Sequence, residues 1–291
     1  MDKGGRNTGN KDGGADGGGD DRDLCGDRRG GMVHGNLGIG TFGAVVYTDE
    51  HSGVTRGKGG KGMKKIAITA GHYKGTAGRR CLKALDKNET KEWELNSRIA
   101  ERIEEHLKSY EGYELLRTDD RRGEKYISVE ERTRLANKFG ADIYISIHHN
   151  AGIHGGIGGG IEAYIYKGAS KESRAWQEAL YASLVEATGL RGNRAEPLRA
   201  SSLAECRLTA MPAVLLELGY MDSRSDVPII LGEKFASDSA RAIGEVIAER
   251  LCLEKRGKLY RVQVGAYRER ENAEAMVKAL KEKGFEGIIR E

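Results

Sequence analysis

Between residues 63 and 254 short β-rich runs alternate with amphipathic helices, and few folds accommodate that order. Lys65–Ala70 reads as a strand. Glu92–Leu107 follows as a helix, with Leu95, Ile99, Ile103 and Leu107 on one stripe. Tyr113–Leu116 is a second strand. Val129–Phe139 is a second helix, opened by Ser128 as N-cap with Glu131 at capping-box spacing. Asp142–Ile147 and Gly160–Tyr166 are further β-rich runs. Lys171–Ala187 is helical, with Trp176, Leu180 and Leu184 in register. Ala213–Leu218 (AVLLEL) is a near-continuous apolar run of the kind buried on both faces of a sheet. Lys234–Leu251 is the closing helix. The pattern predicts an α/β fold: a twisted, mostly parallel sheet with helices on both faces.

The flanks are different material. Residues 1–62 hold 20 of the 42 glycines in 291 residues, and Gly13–Asp23 carries almost no apolar side chain. Such a segment cannot offset the entropy of ordering, so 1–62 is expected to be low-complexity and disordered, with Met63 as the natural start of the folded part. Val45-Val46-Tyr47 is its only strand-like run. Beyond a charged joint at Glu254–Lys258, residues 259–291 read strand, helix, strand, a partial βαβ piece too short to bury a core alone.

Several classes are excluded. The formal net charge of +4 is mild and argues against a nucleic-acid partner. No apolar run approaches a membrane span, and Met1 opens no recognisable secretory signal. Four widely spaced cysteines (Cys25, Cys81, Cys206, Cys252) form no CxxC pair, so a disulfide framework or a cysteine-based zinc site is not expected. Any metal must use histidine and carboxylates.

In open α/β sheets, sites form beyond the carboxyl ends of the strands. The first strand ends at Ala70-Gly71-His72, the Asp142 strand at His148-His149-Asn150, and the Ala213 strand at Glu217-Leu218-Gly219-Tyr220. Two imidazoles and a carboxylate thus meet a fourth group, Glu92, at the start of the first helix. Two histidines and a glutamate are a common catalytic zinc set, and a second glutamate can serve as general base and acid. Glu217 is the sharpest single signal, because a carboxylate inside AVLLEL must be paired, metal-linked or desolvated.

These residues carry a resemblance. Thr69–His72, Glu92–Asn96, Arg117–Asp120, Glu131-Arg132 with Ala136-Asn137, Ser146–Ala151, Gly160–Glu162 and Pro212–Tyr220 occur in the order of the zinc-dependent N-acetylmuramoyl-L-alanine amidases of the amidase-3 type. The resemblance implies a catalytic domain over 63–254 that hydrolyses the amide between N-acetylmuramic acid and L-alanine in peptidoglycan, with one Zn2+ ion. It assigns His72, Glu92 and His148 as metal ligands and Glu217 as the catalytic carboxylate. Glu89 and Glu94 compete with Glu92. His149 departs from the pattern and is expected to line the cleft. His154 is expected on a flexible rim. Arg117 and Arg132 are expected to be structural, pairing with Asp120 or nearby carboxylates. The segment Leu198–Thr209 also departs, with Glu205 and Cys206 at positions that favour apolar residues.

Residues 259–291 resemble part of a SPOR-type peptidoglycan-binding repeat, through Tyr260–Tyr267 and Glu271–Ala275. The implied partner is peptidoglycan, with no nucleic acid and no membrane insertion. A monomer working at the extracellular cell wall is the expectation, released without a classical signal peptide. Two alternatives stay open: a zinc peptidase cutting within the stem peptide, and a non-catalytic wall-binding module.

Overall fold

The computed structural model describes residues 54–56, 62–257 and 263–290. The chain divides into two compact units, 1–255 and 256–291. The run at Val45-Val46-Tyr47 lies outside the described residues.

The larger unit carries a seven-stranded sheet. In chain order its elements are β1 (Val54–Arg56), β2 (Lys64–Ala70), α1 (Glu92–Leu107), β3 (Tyr110–Glu111), β4 (Tyr113–Arg117), α2 (Val129–Phe139), β5 (Ile143–Asn150), β6 (Ile161–Tyr166), α3 (Lys171–Thr188), β7 (Leu198–Ser201), α4 (Ala204–Arg207), β8 (Ala213–Tyr220), α5 (Val227–Ile230), α6 (Glu233–Arg250) and β9 (Glu254–Lys255). The strand order is β1-β4-β2-β5-β8-β6-β7, and β3 pairs with β9 in a separate ribbon. β4, β2, β5 and β8 run parallel to one another. β6 is antiparallel to β8, and β1 is antiparallel to β4. The expected α/β architecture is present.

Strand alternation divides the core. Ile66 and Ile68, Ile143, Ile145 and Ile147, and Val214, Leu216 and Leu218 pack with α1, α3 and α6. The opposite parity, Ala67, Tyr144, Ala213 and Leu215, packs against Ala136 of α2 and Cys206 of α4. The α1 stripe Leu95, Ile99, Ile103 and Leu107 is almost fully buried. Each such side chain contributes roughly 1.5–3 kcal/mol of transfer free energy. Ser128 caps α2 by accepting from Glu131 N, and Gly140 ends it in the left-handed conformation.

Three expectations need correction. Val54–Arg56 forms an edge strand on β4, so sheet structure begins before Met63. Among the described residues of 259–291 a helix, α7 (Arg270–Glu282), is formed and residues 263–269 and 283–290 carry no strand; residues 259–262 of the expected first strand lie outside the described residues. Cys252 is disulfide-bonded, whereas Cys81 and Cys206 are buried free thiols.

Arg117 is structural, as expected, and pairs with nearby carboxylates other than Asp120. It bonds Asp119 through Nε (2.8 Å) and Nη2 (2.6 Å), and Glu104 through Nη1 (2.8 Å). Asp119 also accepts from Ala70 N, which fixes the end of β2. Asp120 instead accepts from the backbone of Glu124 and Lys125.

Candidate metal centre

His148, Glu217 and Glu162 all lie on the sheet face covered by α2 and α4, by strand parity with Tyr144, Leu215 and Tyr164. The register places Glu217 opposite His148 on β5 and opposite Glu162 on β6. His72 follows β2, and Glu92 opens α1 beside it.

Ligand atoms of His72, Glu92 and His148 all lie within 4.8 Å of one another. His72 Nε2 is 3.2 Å from Glu92 Oε2, and His148 Nδ1 is 3.1 Å from Glu92 Oε1. Glu92 is 1% exposed, yet Oε2 has no hydrogen-bond donor aimed at it. A buried anionic oxygen facing the His72 imidazole without a geometric hydrogen bond, on a carboxylate whose other oxygen faces His148, fits a cation. The donor set of two nitrogens and a carboxylate suits zinc. Burial pushes the Glu92 carboxyl up, but the hydrogen bond from His148 and the nearness of both imidazoles outweigh this and hold it well below the usual range. His148 shows the complementary balance: burial lowers its pKa, and Glu205 and Glu92 together raise it well above the ordinary value.

The three candidate ligands are held from behind. Asn96 donates to Gly71 O (3.2 Å) and, at 3.5 Å, to Glu92 Oε1. His149 N also donates to Glu92 Oε1 (3.2 Å). His72 has φ of 66°, a conformation unusual for a residue with a side chain. Arg132 holds that turn, donating to Ala70 O (2.7 Å), His72 O (2.7 Å) and Thr69 Oγ1 (3.0 Å). Its role is structural as expected, but it serves carbonyls and a hydroxyl rather than a carboxylate.

Gly71 is required for a different reason. A Cβ built there would lie 2.1 Å from Cε1 of His148. Gly71→Ala is therefore expected to push the His148 ring away and abolish zinc retention while the sheet still forms. Zinc content and far-ultraviolet circular dichroism check this, and full zinc occupancy in the variant would contradict it.

The competing glutamates are placed elsewhere. Glu94 accepts from Lys91 N in the capping box of α1. Glu89 sits between Arg80 and Lys83. His149 does not line the cleft. Its ring is 1% exposed on the α1 side, with Nδ1 2.8 Å from Asn96 Oδ1, and burial pushes its pKa down to about 3. His154 is exposed, as a rim residue should be, but its loop is tethered: Gly152, Ile153 and His154 all donate backbone N–H to Asp222 Oδ2.

Glu217 Oε2 is buried with no hydrogen-bond partner. Burial pushes this carboxyl up to about 8; the Glu92 and Glu162 charges add to the effect, against the pull of His148. Glu162 is satisfied by Tyr220 OH (2.5 Å), Asn150 Nδ2 (2.9 Å) and Arg199 Nη1 (3.3 Å). The sequence reading assigned neither Asn96 nor Glu205 a role around this site. Asn96 was legible, one helical turn from Glu92. Glu205, 3.2 Å from His148 Nε2, stood out only as a polar residue where an apolar one is favoured.

The raised Glu217 carboxyl has a stability consequence. In metal-free protein the folded state keeps this proton between about pH 4.5 and about pH 8, where the unfolded chain releases it. Its stabilising contribution is thus present below about 4.5 and lost as pH rises through about 8. Chelator-treated Glu217→Gln should have a higher urea midpoint than wild type near pH ~9 and a similar one near pH ~4.5. Equal midpoints at both would contradict this.

Comparison with known proteins agrees with the geometry. Residues 66–249 match the family model Amidase_3, N-acetylmuramoyl-L-alanine amidase, and residues 253–291 match the SPOR domain. The chain is 31% identical over 232 residues to the sporulation-specific N-acetylmuramoyl-L-alanine amidase of Bacillus subtilis (strain 168), covering 78% of this chain and 84% of that protein. It is 29% identical over 169 residues to the endolysin of Bacillus phage SPP1, covering 58% and 61%. The catalytic domain of CwlV, N-acetylmuramoyl-L-alanine amidase from Bacillus (Paenibacillus) polymyxa var. colistinus, superposes with a TM-score of 0.58 at 26% identity, over 66% of this chain and all of that one. With the family model spanning most of the chain, the protein belongs to the N-acetylmuramoyl-L-alanine amidase family, as a peptidoglycan amidase.

Proposed function

We propose that His72, Glu92 and His148 hold one zinc ion, and that Glu217 is the catalytic carboxylate for cleavage of the amide between N-acetylmuramic acid and L-alanine. The observation that carries this is the convergence of three ligand atoms within 4.8 Å around an unsatisfied buried carboxylate oxygen, with Glu217 in register beside His148. Bound zinc supplies Lewis acidity that makes an amide carbonyl easier to attack and water easier to deprotonate. Glu217 takes the proton of the attacking water and returns it to the leaving amine of L-alanine. Burial favours the protonated form of this carboxyl, which suits the stage between the two transfers, while a bound cation nearby would favour the ionised form that accepts the proton. Asn96 and the His149 backbone keep Glu92 from rotating, and Arg132 keeps the His72 turn in place.

The SPOR-matching unit adds affinity for the wall. Residues 255–291 carry ten Lys and Arg against six Asp and Glu, a local excess that suits an anionic polymer. No helix among the described residues is long and apolar enough to cross a membrane. The site of action is the extracellular cell wall, with the protein acting as a monomer.

Mass spectrometry of digested peptidoglycan tests the bond assignment. New L-alanine amino termini on released peptides are expected. Cuts between amino acids of the stem would instead indicate a peptidase, and binding without released peptides would indicate a wall-binding module.

A further inference from the structure

We infer that Glu205 is a positioning residue of the metal centre: it accepts the Nε2 proton of His148 and so turns the Nδ1 lone pair of that ring toward Glu92 and His72. This rests on the proposed ligand role of His148.

The two ring nitrogens of His148 face two different carboxylates. Nδ1 is 3.1 Å from Glu92 Oε1 and Nε2 is 3.2 Å from Glu205 Oε2. Only Nδ1 is on the side where the other two ligands converge, since Glu92 is also the partner of His72. An ionised carboxylate can only accept, so Glu205 requires a proton on Nε2. A neutral imidazole with its proton there has its lone pair on Nδ1. Glu92 likewise draws a proton to Nδ1 in the metal-free site; a cation held by Glu92 and His72 would replace that proton, and Glu205, keeping the one on Nε2, leaves the Nδ1 lone pair and the ring orientation that ligation needs. A carboxylate behind a ligating histidine also raises the basicity of the ring.

Glu205 is built to do this. It is 5% exposed and comes from the short helix α4, beneath the sheet face that carries His148. Ser146, two residues before His148 on β5 and so on the same face, donates to the same oxygen at 2.5 Å. That bond fixes Oε2 in place. The ring also packs against Gly71, whose missing side chain leaves room for it, with Cε1 2.1 Å from where a Cβ would sit. The ring is thus confined by packing against Gly71 and by a fixed acceptor. An ordinary buried ion pair would need the carboxylate near the imidazole, but would not require that the opposite nitrogen face two further ligands.

The test measures zinc affinity of the full chain by competition with a chromogenic chelator, for wild type, Glu205→Ala and Glu205→Gln. Glu205→Ala is expected to bind zinc roughly 10- to 100-fold more weakly. Glu205→Gln keeps an oxygen that can accept from Nε2, so it should recover most of that loss. In nitrogen-15 spectra of the zinc-loaded protein, the Nε2–H proton of His148 should lie downfield in wild type and move upfield in Glu205→Gln. That resonance reports the hydrogen bond itself and would not move if Glu205 only supported the fold. Should Glu205→Ala fail to fold, the Gln variant and its spectrum carry the test. Wild-type binding with unchanged affinity in the variants and an unmoved resonance would overturn the role of Glu205. Failure of wild type to bind zinc would overturn the ligand assignment, and this inference with it.

Discussion

Replacing Glu217 by Gln is expected to lower turnover on peptidoglycan roughly 10²- to 10⁴-fold while leaving zinc content unchanged. The substitution keeps the size of the side chain on β8 and removes only its ability to carry a proton. Glu217 makes no hydrogen bond through Oε2, so no partner is stranded by the change. Its neighbours in the register, His148 and Glu162, keep their own partners. The same variant should be the more stable one in alkaline metal-free protein, because the buried carboxylate no longer has to ionise. Loss of activity with gain of stability is the pattern of a group held for chemistry at the expense of the fold. An active Glu217→Gln enzyme would remove the proton-transfer role.

Replacing His148 by Ala should have the opposite signature, with zinc and activity lost together. Two of the three proposed ligands then remain, too few for a tetrahedral site that keeps one position open. Stability should fall as well. His148 lies between Glu92 and Glu205, both almost fully buried, and its removal leaves two carboxylates without their shared partner. Breaking a buried pair in this way costs about 3–5 kcal/mol. Calorimetry and metal analysis of the purified variant check both parts. A His148→Ala protein with one zinc per chain would show that the ligand set is wrongly assigned.

Much of the catalytic unit was legible in the sequence because its signals are local. The bounds of α1 and α2 follow from an apolar stripe with period 3.6 and from a Ser128 cap, and both helices occupy the expected residues. The site was legible through strand ends, since the sheet brings His72, His148 and Glu217 to one region whatever its details. What remained hidden depends on long-range pairing. Val54–Arg56 carries no strand signal of its own and becomes a strand only by lying against β4. For His148 and His149, alternation requires opposite faces without saying which one meets Glu92 and His72; Asn96 on α1 takes the second ring. Glu205 is 57 residues from His148, and nothing near it in the chain announces that partner. Residues 259–291 have the local pattern of strand, helix and strand, but among the described residues only the helix, which satisfies its own backbone, is formed.

The most direct measurement is zinc content and peptide release on the same samples, before and after chelation and after re-addition of metal. The account expects about one zinc per chain, loss of L-alanine-ended peptide release when it is removed, and recovery in proportion to the zinc taken up. Undiminished release from metal-free protein would contradict it.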